Sequence, residues 1–509
     1  MASDPFIEER NNAQWVNHHK NIERPVSKIV TINNEVPAVA SISGLAKTAA
    51  RIQTVITSAL AAGVRLRAVG SHWSFSDIPV VEGGWIIETD RLGYRFRLKE
   101  TDLHPAHLDL VDDLILVQAG AKISAVNEAL ETKQWRRALR TSGASNGQTI
   151  GGALGTGIHG SAIGVGGLES QVAGIQLLTA TQNLWIERAS EPVLSDSLIA
   201  RMGAVRVADN AKFAAAIVSL GALGVVHAVV LKATGRYRLN SILRHLPFGQ
   251  VRAALNSLDF RGLGLPATTG ELYFFQVIVD PHKLDTAFTT VRYKELCPPD
   301  YIPNYDITPK SEPGTDVPRL IGAAIRLFPA LRNLAVSKLT ATELRERADV
   351  EKEWRTPGET YSFTSARGGV ASAGFGIPVA QVTNAIAIMQ EAFRVHKSAP
   401  IIFTCRYAQR SPGMMAFTRF DPTCILEIDG IDTPATQKLI ELVAKRFDAA
   451  GMPYTNHWGK INHLTKARVR NGFGGAVDRW NATRHLLLPD VAERHAFSSP
   501  FIDAVGLNG

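Results

Sequence analysis

Two periods of hydrophobic residues alternate along the first 236 residues of the chain. Between Ile42 and Ala62, apolar side chains recur every three or four positions and the run ends at Gly63, which predicts an amphipathic helix. Strands are predicted for three further runs, at residues 64–70, 85–93 and 112–121. A short helix should begin with Ser124 in the N-cap position. Helices and strands therefore alternate, as they do in layered α/β and α+β domains.

Between Gly143 and Gly167 the hydrophobic pattern gives way to glycine. Ten glycines fall in this stretch, a density that weakens any regular element. Residues 155–160 read Gly-x-Gly-x-x-Gly, but a dinucleotide fingerprint follows a strand and opens a helix. The residues that come next, SAIGVGGLES, are too rich in glycine for a helix. We therefore reject the NAD-binding interpretation.

The pattern changes again after about Arg236. Residues 271–280 form an aromatic-rich strand pattern, and residues 382–396 form an amphipathic helix pattern. Two more strands and a helix are predicted at residues 400–408, 424–430 and 435–451. A Pro-rich and charged stretch over residues 297–319 is typical of a long surface excursion. This order predicts an antiparallel sheet with helices on one face.

Composition restricts the class of protein. The 509 residues, 45% of them hydrophobic, provide for two to four domains and exclude disorder. No run approaches the roughly 18 apolar residues of a membrane span, and the first residues, MASDPFIEERNNAQW, do not resemble a secretory signal. Three scattered cysteines, Cys297, Cys405 and Cys424, favour a reducing cytoplasm and argue against a disulfide framework or a metal site.

The formal net charge of +8 is spread along the chain without a basic run, so we expect no nucleic-acid partner. Some of the cations are better used internally, against a phosphate-bearing cofactor. Closely spaced glycines expose main-chain N–H groups that form concave anion sites suited to a diphosphate. Short polar side chains add donors near two glycine turns: Ser71, Ser74, Ser76, Ser142, Ser145, Asn146 and Gln148. Both turns would also serve as plain connections between strands, but the glycine density favours a cofactor cradle.

Three segments resemble the FAD-binding domain of the vanillyl-alcohol oxidase and p-cresol methylhydroxylase (PCMH) superfamily. They are AVGSHWSFSDIP at residues 68–79, TSGASNGQTIGGALGTGIHGS at 141–161 and SLGALGVVHAVVL at 219–231. Near the C-terminus, NHWGKIN at 456–462 is similar to the His-Trp-Gly-Lys segment of the sugar-oxidising branch, the aldonolactone oxidoreductases and alditol oxidases. The resemblance covers most of the chain in the right order.

The resemblance implies an α+β protein that binds FAD between two domains. A PCMH-type FAD-binding domain would span residues 1–236, and an antiparallel-sheet substrate or cap domain with flanking helices would span residues 237–452. Residues 453–509 would return to the FAD domain and the active site. The resemblance further implies that the following residues bind the cofactor: Gly70, Ser71, His72, Trp73, Ser74, Ser76, Ser142, Gly143, Asn146, Gly147, Thr149, Gly152, Gly155, Thr156, Gly157, His159, Gly160, Ser161, Gly224 and Val225.

The chain departs from the family at the residue that usually carries a covalent flavin. The sugar-oxidising branch has Gly-x-x-His-Ser in the first loop, with that histidine linked to FAD. Here the aligned residue is Trp73, and His72 precedes it by one position. Because one step along an extended loop turns a side chain to the opposite face, we expect dissociable, non-covalent FAD.

A second departure lies in the predicted substrate strand. The branch usually has a Glu two residues before an Arg, and both meet the substrate hydroxyls. Arg406 matches this pattern, but Thr404 stands at the Glu position and supplies no charge for that arginine. The substrate itself would then carry the anionic group, or another residue would take the proton. The change weakens the polyol or aldonolactone interpretation.

The family implies hydride transfer from a substrate C–OH carbon to flavin N5, with oxygen or another molecule as the final electron acceptor. Lys460 is the candidate cation for the negative charge near flavin N1, and Arg406 the candidate for orienting the substrate. His457 is a candidate base or a histidine with no chemical role. A flavoprotein without turnover, such as a sensor or degenerate relative, is the alternative. The predicted substrate is a small molecule, a sugar derivative or another natural product.

Overall fold

A computed structural model describes residues 4–36, 39–143, 146–266, 270–305, 350–361 and 369–509. Ser145 of the predicted cradle and residues 306–349, which include part of the predicted surface excursion, lie outside these ranges. In the described parts, the chain forms sheets of four, six, two and eight strands with helices packed against them. The predicted α+β fold class is confirmed.

The N-terminal sheet joins an antiparallel hairpin to two parallel strands. Its strands are β1 (Ile7–Val16), β2 (Glu23–Ile32), β3 (Leu66–Val69) and β4 (Trp85–Glu88), in the order β1-β2-β4-β3. Helix α1 (Ile42–Ala61) connects β2 to β3, and its apolar face buries Ile52 and Ile56 against Val30 and Ile87 of the sheet. The helix predicted from the 3.6-residue period is therefore confirmed.

A six-stranded sheet forms the centre of the first half of the chain. Its strands and those of a small ribbon are β5 (Arg95–Arg97), β6 (Leu114–Gln118), β7 (Arg137–Ala138), β8 (Val172–Leu178), β9 (Asn183–Glu187), β10 (Val205–Ala208), β11 (Val225–Lys232) and β12 (Thr234–Gly235). The sheet order is β10-β9-β8-β11-β6-β5, and β7 pairs with β12. Four helices accompany them: α2 (Ile123–Leu130), α3 (Ile150–Thr156), α4 (Asp196–Arg201) and α5 (Asn210–Ala216). The N-cap of α2 is Lys122, so the prediction of Ser124 at that position is wrong by two residues.

Helix α3 lies inside the glycine-rich stretch, where we expected any regular element to be weakened. Glycine costs a helix about 1 kcal/mol relative to alanine, but burial of Ile150, Ala153 and Leu154 in the main core offsets that cost. The helix ends at Gly157, which has a left-handed backbone with φ of 69°. The Gly-x-Gly motif thus closes a helix and does not open one, in accord with the rejection of the NAD fingerprint.

The eight-stranded sheet dominates the second half of the chain. Its strands are β13 (Tyr237–Pro247), β14 (Glu271–Asp280), β15 (Lys283–Leu296), β16 (Val350–Arg355), β17 (Val370–Pro378), β18 (Ile401–Ala408), β19 (Thr423–Ile431) and β20 (Thr455–Asn456). All pairings are antiparallel, in the order β16-β13-β15-β14-β18-β19-β17-β20. The accompanying helices are α6 (Phe248–Ser257), α7 (Pro357–Thr360), α8 (Val382–Val395) and α9 (Pro434–Ala449). Helices α6, α8 and α9 cover one face and share its hydrophobic core, as predicted.

The C-terminal residues pack back onto the first half of the chain. They form α10 (Lys466–Phe473), α11 (Ala476–Leu487), α12 (Val491–Ala496) and α13 (Pro500–Ala504). Val469, Trp480 and Ile502 belong to the same buried cluster as Ile175 and Phe213 of the six-stranded region. The domain division at residues 236 and 452 stays a prediction. Nowhere in the described ranges does a helix have both the length and the apolar character to cross a bilayer.

Candidate functional site

A cavity of about 590 Å³ separates the glycine-rich loops from the uncovered face of the eight-stranded sheet. Residues 67–75, from β3 into the loop that follows it, and residues 148–159 around α3 form one side. Strands β17 to β19 and the segment 457–460 form the other side. The cavity is therefore built where the two regions predicted to bind cofactor and substrate face each other.

The two loops that form the cofactor side interlock through glycine. A Cβ atom at Gly70 would lie 1.8 Å from the Oγ1 atom of Thr149, and one at Gly147 would lie 2.4 Å from the ring of Trp73. Real Cβ atoms do not approach other heavy atoms so closely, so neither position accepts a larger residue without a shift of the backbone. The first loop is also tied to the C-terminal segment, because Phe75 N–H donates to the Gly459 carbonyl at 2.8 Å.

Donor groups in these loops have no protein partner. Four consecutive main-chain N–H groups, at residues 71–74, donate to no acceptor among the described residues. Polar atoms of Ser71, Ser142, Asn146 and Gln148 are buried in the same region and have no hydrogen-bond partner in the part of the chain that the structure describes. Because buried polar groups are normally paired and successive N–H groups form anion sites, this region fits the diphosphate of FAD.

Eleven of the predicted cofactor residues line the cavity: Gly70, Ser71, His72, Trp73, Ser74, Thr149, Gly152, Gly155, Thr156, His159 and Gly224. The other nine lie behind its wall: Ser76, Ser142, Gly143, Asn146, Gly147, Gly157, Gly160, Ser161 and Val225. Ser76 supports the wall by donating its hydroxyl to the Trp458 carbonyl at 2.6 Å. Ser161 accepts the N–H of Tyr407 at 3.0 Å and so joins the glycine-rich segment to β18. Their roles toward a cofactor stay predictions.

His72 and Trp73 have different ring neighbours, but both line the cavity and the backbone at His72 is not the extended one that the loop argument assumed. His72 has a left-handed backbone with φ of 60°, and its ring stacks on Trp15 at 5.6 Å between centroids. Its Nε2 atom lies 3.7 Å from a carboxylate oxygen of Glu88. The Trp73 ring instead stacks on His18 at 4.4 Å.

The uncovered face of the eight-stranded sheet carries the predicted substrate residues. Strand side chains alternate between faces, so Thr404 and Arg406 share this face while Cys405 is buried on the helix-covered side. Arg406 pairs across the sheet with Gln276, and its Nε atom donates to the Gln276 side chain at 3.1 Å. Arg406 lines the cavity, whereas Thr404 is 2% exposed and does not.

A carboxylate that the sequence reasoning missed lies at the centre of this face. Glu427 of β19 stands directly opposite Thr404 of β18 and is fully buried. Its side chain forms ion pairs with Lys460 and with Arg406, whose Nε atom is 3.2 Å from Oε2. The Nε2 atom of His159 is 3.6 Å from Oε1. The carboxylate absent from β18 is thus present on the neighbouring strand, at the same level of the sheet.

The electrostatics of this cluster keep Glu427 charged. Burial by itself raises the pKa of Glu427, but the charges of Arg406 and Lys460 outweigh burial and hold that pKa well below its ordinary value. Burial lowers the pKa of His159 and lowers that of His457 further. Both imidazoles are therefore neutral at pH 7, and the two cations at this end of the cavity face two carboxylates, the buried Glu427 and the cavity-lining Asp429.

The hydrogen bonds of His457 determine which ring nitrogen carries its proton. The Nδ1 atom lies 3.0 Å from the N–H of Gly459, which can only donate, so Nδ1 accepts. The proton of the neutral ring is therefore on Nε2. His457 and His159 are neighbours, with ring centroids 5.5 Å apart, and both line the cavity.

A second acidic side chain lies farther out along β19. Asp429 is the one carboxylate on the cavity wall within the ranges that the structure describes. It accepts the Ser372 hydroxyl at 2.6 Å, and its Oδ1 atom is 4.0 Å from Nζ of Lys460. Ser372 and Asp429 are partners in the β17–β19 register.

The sequence contains a signal for Glu427 and Asp429. In the strand pattern CILEIDG, these acidic residues alternate with Leu426 and Ile428, which face the core. Two carboxylates on one face of an otherwise apolar strand indicate that this face meets cations or ligand. The strand order, which the sequence does not give, was needed to show that Arg406 is the cation that Glu427 contacts on this face.

Comparisons with known proteins agree with this geometry. The family model of an FAD binding domain matches residues 44–185. An L-gulono-1,4-lactone dehydrogenase of Mycobacterium tuberculosis (strain ATCC 25618 / H37Rv) is 26% identical over 462 residues, which cover 87% of this chain and 91% of that protein. A D-arabinono-1,4-lactone oxidase of Yarrowia lipolytica is 27% identical over 198 residues, covering 39% of this chain and 32% of the relative.

Solved structures give the same fold over the whole chain. A solvent-stable cholesterol oxidase superimposes with a TM-score of 0.67 at 14% identity and covers 99% of both chains. A cholesterol oxidase from B. sterolicum superimposes with a TM-score of 0.64 at 13% identity, covering 98% of this chain and 97% of that one. The resemblance seen in the sequence is confirmed by the domain match, the full-length relatives and the fold. In sequence, the chain carries a match to an FAD binding domain over residues 44–185 and resembles an L-gulono-1,4-lactone dehydrogenase over most of its length.

Proposed function

We propose that this protein oxidises a CH–OH group of a small molecule by hydride transfer to a non-covalently bound FAD. The observation that carries the proposal is the meeting, at one cavity, of an unpartnered diphosphate cradle with the cations Arg406 and Lys460. The two lactone-oxidising relatives support a CH–OH substrate, since their names denote oxidation of sugar lactones. FAD, when bound, supplies the hydride acceptor.

In this proposal the glycine-rich loops on one side of the cavity bind FAD, and the eight-stranded sheet on the other side orients the substrate. The N–H groups at residues 71–74, which donate to no acceptor among the described residues, hold the diphosphate together with the cavity-lining side chains of Ser71 and Gln148. Arg406 and Lys460 face the cavity while Glu427 holds both from behind. The positive charges of Arg406 and Lys460 stabilise the negative charge that develops on the substrate oxygen as it loses its hydroxyl proton.

His457 acts as a hydrogen-bond donor in this proposal and not as the base that the sequence motif suggested. Because its Nδ1 lone pair accepts the Gly459 N–H, its Nε2–H is left to donate a hydrogen bond into the cavity. A donor at this place stabilises an alkoxide-like oxygen but does not remove a proton. Asp429, the cavity-lining carboxylate, is the better candidate for accepting the hydroxyl proton.

The absence of covalent attachment rests on the position of His72. Its ring stacks on Trp15 and faces Glu88, while Trp73 occupies the place of the usual flavin-linked histidine. Acid precipitation tests the attachment. Colour in the supernatant is expected, and colour that stays with the protein pellet would contradict non-covalent binding.

A flavoprotein without turnover is the second candidate, and Thr404 at the usual Glu position favours it. Glu427 argues against the second function, because a carboxylate on the adjacent strand still pairs with Arg406. Anaerobic mixing with a panel of alcohols and sugar lactones separates the two functions. An oxidoreductase loses its visible flavin band with at least one of them, and Lys460→Met slows that loss. A band that stays unchanged across the panel would favour the second function.

A further inference from the structure

We infer that Ser372 is a positioning residue that fixes the carboxylate of Asp429 for proton transfer. This role rests on the proposed function, in which Asp429 accepts the hydroxyl proton of the substrate. Both side chains line the cavity, and the Ser372 hydroxyl donates to Oδ1 of Asp429 at 2.6 Å. Because the hydroxyl hydrogen is already shared with the carboxylate, Ser372 acts through Asp429 and not on the substrate itself.

The main chain holds Ser372 in place. Ser372 is the register partner of Asp429 in the antiparallel β17–β19 pair. Its carbonyl oxygen accepts the N–H of Ile461 at 2.9 Å, and Ile461 directly follows Lys460 in the C-terminal segment that lines the cavity. The hydroxyl donor is therefore attached to main chain that is hydrogen-bonded on both sides.

The contacts of Asp429 distinguish its two carboxylate oxygens. Oδ1 accepts the Ser372 hydroxyl, and the same atom is the one nearest to Nζ of Lys460, at 4.0 Å. On β18, the residue opposite Asp429 is Ile402, whose side chain has no donor. Within the ranges that the structure describes, Oδ2 receives no hydrogen bond, and the Asp429 side chain is 27% exposed. Oδ2 is therefore the oxygen available to a substrate hydroxyl.

The hydrogen bond on Oδ1 gives the proton transfer a fixed direction. The terminal torsion of an aspartate is broad when neither oxygen is held, and the bond from Ser372 limits that rotation. As the substrate O–H bond breaks, its proton bonds to Oδ2, and its electron pair stays on oxygen to form the carbonyl bond as the hydride leaves. A displacement of about 1 Å in a reacting group can cost a factor of about 100 in rate. Ser372 thus contributes to the rate by orienting Asp429.

A double-mutant cycle on the rate of flavin reduction tests this role. Holoprotein with Ser372→Ala, with Asp429→Asn and with both substitutions is mixed anaerobically with the panel of alcohols and sugar lactones, and rates are taken per bound flavin. Ser372→Ala should slow the reduction about tenfold in the wild-type background. In the Asp429→Asn background it should change the rate by no more than about twofold, because a residue that acts through Asp429 has no effect without it. Equal factors in the two backgrounds would overturn the inference.

Two further substitutions separate positioning from folding. Ser372→Thr keeps the hydroxyl and suits a strand, so it should restore most of the rate. Ser241→Ala removes a hydroxyl from β13 of the same sheet, at a residue that is 7% exposed and outside the cavity lining, and should reduce its flavin as fast as wild type. A Ser372→Thr variant as slow as Ser372→Ala would contradict a role for the hydroxyl.

The same rates separate the role of Ser372 from the proposed function. If Asp429→Asn is slow and the two factors of the cycle are equal, the oxidation and its proton acceptor stand and only the role of Ser372 fails. If Asp429→Asn is as fast as wild type, Asp429 is not the acceptor, and the role of Ser372 fails with it. If no compound of the panel reduces the flavin of the wild type, the oxidation itself fails and neither role remains.

Discussion

Glu427 provides the sharpest test of how the charged end of the cavity is built. Glu427→Gln keeps the shape of the side chain and removes its charge, which leaves Arg406 without its anion and Lys460 with Asp429 alone, 4.0 Å away. Glu427 is fully buried, and the side chains of its partners are 18% and 16% exposed. Removing one member of a buried ion pair costs about 3–5 kcal/mol. We expect a loss at the lower end of this range, because both cations retain some contact with solvent.

The loss has a defined pH dependence. The pKa of Glu427 is held well below 4.5, so the carboxylate stabilises the fold at every pH above that ordinary value. The contribution disappears as the pH falls through the lower, folded-state pKa. The difference in unfolding free energy between wild type and Glu427→Gln should therefore be full at pH 7 and shrink below about pH 4.5. Urea unfolding of the holoprotein, followed by tryptophan fluorescence, measures it.

A matched control uses the same substitution on a more exposed pair. Glu295→Gln breaks the ion pair with Arg238 at the other side of the sheet, where the side chains are 27% and 20% exposed. Exposed ion pairs contribute about 0–1 kcal/mol, so this variant should lose less stability than Glu427→Gln. Equal losses in the two variants would refute the reasoning.

Exchange of Thr404 and Glu427 tests whether the carboxylate can act from β18 as well as from β19. Thr404 and Glu427 are directly opposite in the β18–β19 register, and such side chains lie about 5 Å apart. Thr404→Glu combined with Glu427→Thr moves the carboxylate by one strand and keeps the composition. The double variant should recover flavin reduction relative to Glu427→Thr alone. No recovery would mean that Glu427 acts through a position that Thr404 does not share.

Three further predictions concern the cofactor loops and a second buried acid. His72→Ala should release its flavin into the supernatant on acid precipitation as the wild type does; a change in the amount that stays with the pellet would implicate His72 in attachment. Gly70→Ala places a Cβ atom against Thr149 and should lower the flavin content of purified protein at least tenfold, whereas Gly235→Ala, with no atom within 4 Å, should leave it unchanged. Burial raises the pKa of Glu131 from 4.5 to about 7, so its ionisation destabilises the fold progressively between those two values. Relative to wild type, Glu131→Gln should gain about 3 kcal/mol between pH 4.5 and pH 7.5; a difference that does not change with pH would contradict the raised pKa.

Local patterns were sufficient for two elements of the eight-stranded sheet region. The strand predicted at residues 271–280 has those bounds in the structure; its aromatic and β-branched residues favour a strand, and residues 273–279 are buried on both faces. The helix predicted at residues 382–396 is also found, as Val382–Val395. Both elements follow directly from the hydrophobic period.

The helix that the sequence pattern did not predict, α3, depends on tertiary packing. Helix α3 contains Gly151 and Gly152, which propensity alone would exclude from a helix. The Cβ position of Gly151 lies 2.8 Å from the Ala119 side chain, so close packing against the end of β6 requires glycine there. The helix is thus specified by its neighbour and not by its own residues.

The charged cluster depended on strand order in the same way. Thr404 was correctly seen as a missing carboxylate on β18, but its replacement lies on β19 after a connection of 14 residues, 409–422. Register across such a connection is set by the packing of both faces and not by a turn motif. Arg406 and Lys460 were identified from their motifs, whereas the pairing of Glu427 with them follows only from the strand order.

The rate of flavin reduction with a deuterated alcohol tests the central claim most directly. The substrate is deuterated at the carbinol carbon and mixed anaerobically with the holoprotein in a stopped-flow instrument. If the carbinol C–H bond is broken at this cavity, the visible flavin band disappears severalfold more slowly with the deuterated alcohol than with the ordinary one. Protein that purifies without flavin, or a band that disappears at the same rate with both alcohols, would contradict the account.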